Sequence, residues 1–321
     1  MEDPRRESLS GQSESEVIKG RSIRQTGRIS GSMLPGHEDR EIKPAPRAVP
    51  DDVLCYPQVD SWRDRVWLLL EDLITDRVKA LFVSEPPKHV VSDDLSWLDD
   101  LIYRITGQES NIKEEAARRL RIHYRAFRAA HATRTNDLGQ FYARGLRYLR
   151  PQEIEDRARA LLLNGQALGA SEESIDAAIE ELDARDERKG RTGQLYFCAV
   201  EEELYTDCGG SGHYLTYGSE YLYCLAIRAA WETSARRILK GLGSPTLFVC
   251  DIPMNLMGDQ TIREFAGMML EYLFCELVED LESHSLSPGA GSALMIPADL
   301  PASCIVGHYH PASIYDPLDR R

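Results

Sequence analysis

From Asp60 onward the chain carries two hydrophobic periods. In WRDRVWLLLEDLITDRVKALF, residues Trp62, Val66, Leu69, Leu70, Leu73 and Val78 recur at three- and four-residue spacings, which predicts one amphipathic helix. DDLSWLDDLIYRI predicts a second, N-capped by Asp93 or Asp94, and NIKEEAARRLRIHY begins a third. YRAFRAAHATR reads instead as a strand ending near His131. Residues 151 to 164, opened by Pro151, and 171 to 188, capped by Ser171, predict helices. GQLYFCAV is a short apolar strand, and YGSEYLYCLAIRAAWETSARRIL a helix whose apolar side begins with aromatics. PTLFVCDIPM is a buried strand, TIREFAGMMLEYLFCELVEDL a long helix, and SALMIPADLPASCIVGHYHP one or two closing strands. Strands and helices mix without regular alternation or internal repeat, so the fold class is α+β rather than doubly wound.

Composition divides this pattern. Residues 1–50 are rich in Ser, Gly, Arg, Glu and Pro and nearly lack aromatics, so they are expected to be a disordered tail. Residues 51–120 form a small helical N-terminal region, and residues 121–321 carry the mixed domain. A chain of 321 residues is long enough for a well-buried core. The formal net charge of −14 argues against nucleic-acid or anionic-membrane binding by bulk charge. Locally the balance reverses, because an arginine stripe from Arg118 to Arg159 exceeds its neighbouring acids. The seven cysteines contain no CxxC pair, the N-terminus has no apolar signal core, and no apolar run approaches the ~20 residues of a membrane span. A cytoplasmic protein with no membrane partner is expected.

Several motifs fail on inspection. CGGSGHYLTYGSE matches neither the P-loop nor the Rossmann spacing, and a glycine turn leading into a helix accounts for it. His308 and His310 alternate on a strand and share a face, but no carboxylate or cysteine can be placed with them, so no metal is expected. YGSEY is not a nucleophile elbow.

One constellation does better. His131-Ala132-Thr133-Arg134 is followed, with Gly145 fourteen residues after His131, by Gly145-Leu146-Arg147. Later come Gly193-Gln194-Leu195-Tyr196-Phe197-Cys198-Ala199, then Ser219 opening an aromatic helix, then PTLFVCDIPM. In this order, over about residues 120–320, the segments resemble the poly(ADP-ribose) polymerase-like, His-Tyr branch of the ADP-ribosyltransferase superfamily. The resemblance implies a split mixed β-sheet core with helical insertions, preceded by the small helical region. It also implies NAD as co-substrate and a macromolecular acceptor, either protein or RNA/DNA. His131 and Tyr196 would be catalytic. His131, Ala132, Thr133, Arg134, Tyr196 and Ser219 would hold NAD.

Breaking the nicotinamide–ribose bond passes through an oxocarbenium-like state, as glycoside cleavage does. The protein must hold nicotinamide as a leaving group and support positive charge on the ribose. By the resemblance, the Ala132 backbone and Ser219 hydroxyl would pair with the nicotinamide amide, Tyr196 would stack on the ring, and His131 would bond the adenosine ribose. Arg134 and Arg147, by charge, would face the pyrophosphate or adenine end. Each residue also has a plain reading: a structural histidine, a core tyrosine, a serine cap and solvated arginines.

The sequence departs from the family at three points. Ala132 stands where glycine is usual, the spacings between motifs are lengthened, and the closing strand ASCIVGHYHP lacks the family's glutamate. Ser303, Asp299 and His308 are the candidates for that third position. The leading expectation is a mono-ADP-ribosyltransferase, in the manner of a growth-arresting toxin or phage-defence effector with an antitoxin or regulatory partner. Two rivals remain: an inactive module of the same fold that binds ADP-ribose or a partner protein, and an NAD-dependent RNA 2′-phosphotransferase.

Overall fold

The computed structural model describes residues 48–206, 212–278 and 292–316, and the backbone of Ser32–Pro35. The strands are β1 (Ser32–Pro35), β2 (Val53–Leu54), β3 (Ala126–Thr135), β4 (Leu195–Cys198), β5 (Ser244–Pro253), β6 (Ala293–Ile296), β7 (Ile305–Tyr309) and β8 (Ser313–Asp316). The first helices are α1 (Arg63–Leu69), α2 (Asp76–Ser84), α3 (Ser96–Thr106), α4 (Ile112–His123), α5 (Gly139–Arg144) and α6 (Pro151–Asn164). They are followed by α7 (Glu172–Ala184), α8 (Glu187–Arg191), α9 (His213–Tyr217), α10 (Glu220–Ala229), α11 (Glu232–Lys240) and α12 (Asp259–Cys275). The central sheet runs β6-β4-β3-β5-β7 with every neighbour antiparallel, and β2 joins the start of β3 in parallel. Helices flank it, giving the mixed α+β class expected from the pattern.

Most predicted elements are present, and the differences have local causes. The helix expected over residues 62–82 is two helices, because the Thr75 hydroxyl accepts from Val78 N and starts α2 afresh. The aromatic helix beginning at Ser219 is also broken, between α10 and α11. There Ala230 is extended and Trp231 N donates to Leu168 O at 2.8 Å. The indole then packs so close to Gly169 that a Cβ there would lie 2.6 Å from Trp231 Cδ1. The tail expectation for residues 1–31 and 36–47 lies outside the described residues. Within that tail, however, Ser32–Pro35 pairs antiparallel with β8, from Ser32↔Asp316 to Pro35↔Ser313. A four-residue strand whose partner lies far along the chain leaves no local trace in composition.

The N-terminal helices do not stand apart from the sheet. Trp62, Phe82 and Leu98 lie in the same buried cluster as Phe127 and Phe248 of the sheet and Phe274 of α12. Phe82 and Trp97 both meet Phe274 edge-on or nearly so. Across β3 and β5, Arg128 donates to both carboxylate oxygens of Asp251, at 2.8 and 3.2 Å, with both side chains under a tenth exposed. This pair should dominate the stability contributed by the arginine stripe. Arg128→Ala should lower unfolding stability by about 3–5 kcal/mol, because Asp251 is left buried and uncompensated. Arg118→Ala, at an exposed pair with Glu115, should cost far less, since water screens the pair. Urea unfolding of the two variants measures the difference.

Candidate functional site

β3 is paired very differently along its two edges. All ten of its residues have partners in β5, from Ala126↔Pro253 to Thr135↔Ser244. Towards β4 the register holds a single pair, Ala130↔Cys198, and the strands then part. A cavity of about 470 Å³ opens where they part, within the ~300–1,000 Å³ typical of small-molecule sites. His131, Ala132, Thr133, Tyr196 and Ser219 all line it. Residues that lie 65 and 88 positions from His131 in sequence therefore border one cavity.

The imidazole of His131 bridges the open seam. Its Nδ1 lies 2.8 Å from the carbonyl oxygen of Tyr196. A carbonyl only accepts, so Nδ1 carries the proton and donates, and neutral Nε2 is left as an acceptor. Burial pushes the imidazole pKa below its ordinary value, opposed by the Tyr196 carbonyl, which favours the charged form. The ring also meets Phe197 edge-on.

The other predicted residues are set by their elements. Ser219 is the N-cap of α10, and its Oγ accepts from Leu222 N at 3.4 Å. Capping uses a lone pair, so the hydroxyl proton remains available to donate. Preceding it, Gly218 has φ +85°, and its carbonyl accepts from Thr133 Oγ1 at 3.3 Å, which ties the cap to β3. Tyr196 is 36% exposed, and its hydroxyl donates to Gln194 Oε1, which holds the ring at the cavity.

Arg134 departs from expectation. It shares a strand face with Ala130 and Ala132, whose side chains pack inward with Leu215 and Leu247, whereas His131 and Thr133 take the opposite face. Its guanidinium donates to the carbonyls of Leu215, Lys240, Leu242 and Gly243. Burial pushes its pKa down to about 10. Arg134 therefore joins β3 to the ends of α9 and α11 and is not part of the cavity wall. Arg147 does line the cavity, paired with Glu153 at 2.7 Å. Gly145, just before it, is required by close approach: a Cβ there would lie 1.9 Å from Leu300 O, where Leu146 bridges Leu300.

None of the residues considered for the third position reaches this wall. β7, with His308, pairs with β5 on the side away from β3, so the sheet order carries it from the seam. His308 Nδ1 instead meets the Tyr142 hydroxyl at 2.6 Å. Asp299 accepts from Tyr148 N and Arg150, at 2.9 and 3.0 Å, and Ser303 sits in the turn Ala302–Cys304. The strand beside Tyr196 is β6, through Tyr196↔Met295 and Cys198↔Ala293, and its Ala293 lines the cavity.

The sequence reading missed the buried acid of this wall, Glu203. It lies in the turn Glu201–Leu204 just after β4, 4% exposed, with Oε2 3.5 Å from Cys198 Sγ. Burial pushes the Cys198 thiol up to about 12, so the sulfur is neutral beside it. The only signal was the run Glu201-Glu202-Glu203, which does not say which carboxylate turns inward.

His131 gives a direct test. Its resonances should report an Nδ1-protonated neutral ring at neutral pH and titrate below ~6.5, the value of a free histidine. The unfolded chain then takes up this proton first, so stability contributed here is present above pH ~6.5 and lost as pH falls through the folded-state value. Nitrogen-15 spectra across pH would show a titration at or above ~6.5 if the seam did not hold the neutral ring. Comparison of the chain with models of known protein families, with curated proteins and with solved structures finds no match.

Proposed function

We propose that the protein cleaves the nicotinamide–ribose bond of NAD and transfers ADP-ribose to a macromolecular acceptor, on an ADP-ribosyltransferase-like split sheet. The supporting observation is the meeting of His131, Ala132, Thr133, Tyr196 and Ser219 on one cavity, in the order the family resemblance requires. The chemistry of these groups fits the ligand. Nε2 of His131 accepts from a ribose hydroxyl, and the Ser219 proton is free for the nicotinamide carbonyl. Tyr196 offers a ring face to the pyridinium, a contact worth about 1–2 kcal/mol.

In the transfer, the C1′–N bonding pair leaves with nicotinamide and neutralises its pyridinium. The ribose cation is captured by an acceptor oxygen or nitrogen, whose proton must go to a base. We assign to Glu203, the buried glutamate among the lining residues, the taking of that proton and the opposing of the ribose charge.

A second reading is favoured by Ala293, an apolar residue on the strand beside Tyr196: a module on the same fold that binds ADP-ribose without turnover. Labelled NAD separates the two. Nicotinamide release is expected from the wild-type protein with cell extract or nucleic acid as acceptor, and none from His131→Ala. Glu203→Gln should retain NAD binding while kcat falls by about 10²–10⁴. Thermal stabilisation by ADP-ribose with no release from any mixture supports the binding module instead.

A further inference from the structure

The arginine stripe is neutralised almost everywhere by the fold. Arg118 and Arg119 pair with Glu115, Arg121 with Asp259, Arg125 with Asp52, and Arg159 with Glu172 and Asp176. Arg128 is matched by Asp251, and Arg134 by four carbonyls. Arg147 and Arg150 share Glu153, and Arg150 also reaches Asp299. Between residues 118 and 159 this leaves Arg144, the last residue of α5, and Arg157, on α6. Neither makes an ion pair or side-chain hydrogen bond among the described residues, and both line the cavity.

In a chain of net charge −14, where acids outnumber bases and the other arginines of the stripe have found partners, these two exposed guanidinium groups are left available to a ligand. The cavity carries four arginines against two glutamates, Glu153 and Glu203, and its histidine is held neutral. Its field is therefore positive inside an acidic molecule, and partial enclosure strengthens that field relative to open water.

We propose that Arg144 and Arg157 form an anion subsite of the cavity that binds the diphosphate of a nucleotide. Guanidinium groups donate in a planar fork suited to phosphate oxygens, and arginine remains charged at any physiological pH. The volume admits a nucleotide-sized ligand, and the adjoining His131 and Tyr196 offer a hydroxyl acceptor and a ring face. Identifying the anion as a diphosphate rests on the NAD reading, whereas the unmatched charge does not.

The test measures binding of ADP and of inorganic pyrophosphate to the full chain by calorimetry and thermal shift, beside Arg144→Gln, Arg157→Gln and the double variant. Both ligands should bind the wild type. Each single substitution should weaken ADP roughly tenfold or more, and the double variant further, as loss of charged hydrogen bonds implies. Without ligand, the variants should melt close to the wild-type temperature, since both side chains are exposed and make no ion pair or side-chain hydrogen bond among the described residues.

Unchanged ADP affinity in the double variant overturns the subsite, as does a wild type that binds neither ligand. A lowered melting temperature of the unliganded variants assigns the arginines a structural role and overturns it too. A single-stranded oligonucleotide binding more tightly than ADP, through the same two arginines, overturns the small-ligand assignment. Nicotinamide release is scored separately. ADP binding through both arginines without NAD cleavage sinks the proposed function and leaves the subsite standing, and cleavage with arginine-independent ADP binding does the reverse.

Discussion

The ten-pair ladder between β3 and β5 is the constraint on which the rest of the structure depends. Backbone N–H and C=O groups buried without partners are costly, so a central strand normally needs both edges paired. β3 is anchored so fully along one edge that the other can open after Ala130↔Cys198. At the opening, the Nδ1–H of His131 satisfies the carbonyl of Tyr196 in place of a ladder partner. The cavity is thus a parted seam in a sheet rather than a gap between packed helices, and its floor is held by a strand whose ten residues all have partners in β5. Thr133 and the Gly218 turn then fix the start of α10 against the same strand.

Charge shows how far a local count can stray from the folded result. In sequence the stripe from Arg118 to Arg159 resembles a surface for nucleic acid. In the fold its acids come from elsewhere: Asp52 for Arg125, Asp72 for Arg119, Asp251 for Arg128 and Asp259 for Arg121. An excess of acid over the whole chain makes this matching available, and none of those four partners lies inside the stripe. Arg134 is matched differently, by carbonyls that include Lys240 at the end of α11, where the helix dipole favours a cation.

What was legible in the sequence was what has a local period or spacing. The helices over residues 151–164 and 172–184, the β5 run and the long α12 follow from apolar spacing and caps. His131, Tyr196 and Ser219 were found from their types and order, and they do share one cavity. Breaks made by packing were not legible, since nothing before Trp231 announces that its indole will close over Gly169. Arg134 lies away from the cavity, and its place is legible in the strand pattern. Strand alternation puts positions 130, 132 and 134 on one face, and the two alanines mark that face as interior. At this position strand period, not charge, decides where the side chain goes.

The position of the acid follows from sheet order, which no local pattern records. With β7 beyond β5, any side chain of GHYHP is carried away from the seam, and the strand next to Tyr196 is β6. The end of β6 is already committed. Ser292, only 3% exposed, accepts from Val200 N at 3.0 Å and lies 2.9 Å from Cys198 Sγ, closing the corner after β4. A carboxylate there would stand beside the one Glu203 already sends to Cys198 Sγ, and two like charges in one buried corner are costly. The turn Glu201–Leu204 is under no such constraint, because a 3₁₀ turn aims its side chains independently of sheet register. It sends Glu203 to the wall that Ala293 lines without a polar group. Glu203 thus comes to the cavity from the turn that leaves the seam rather than from a strand of the sheet.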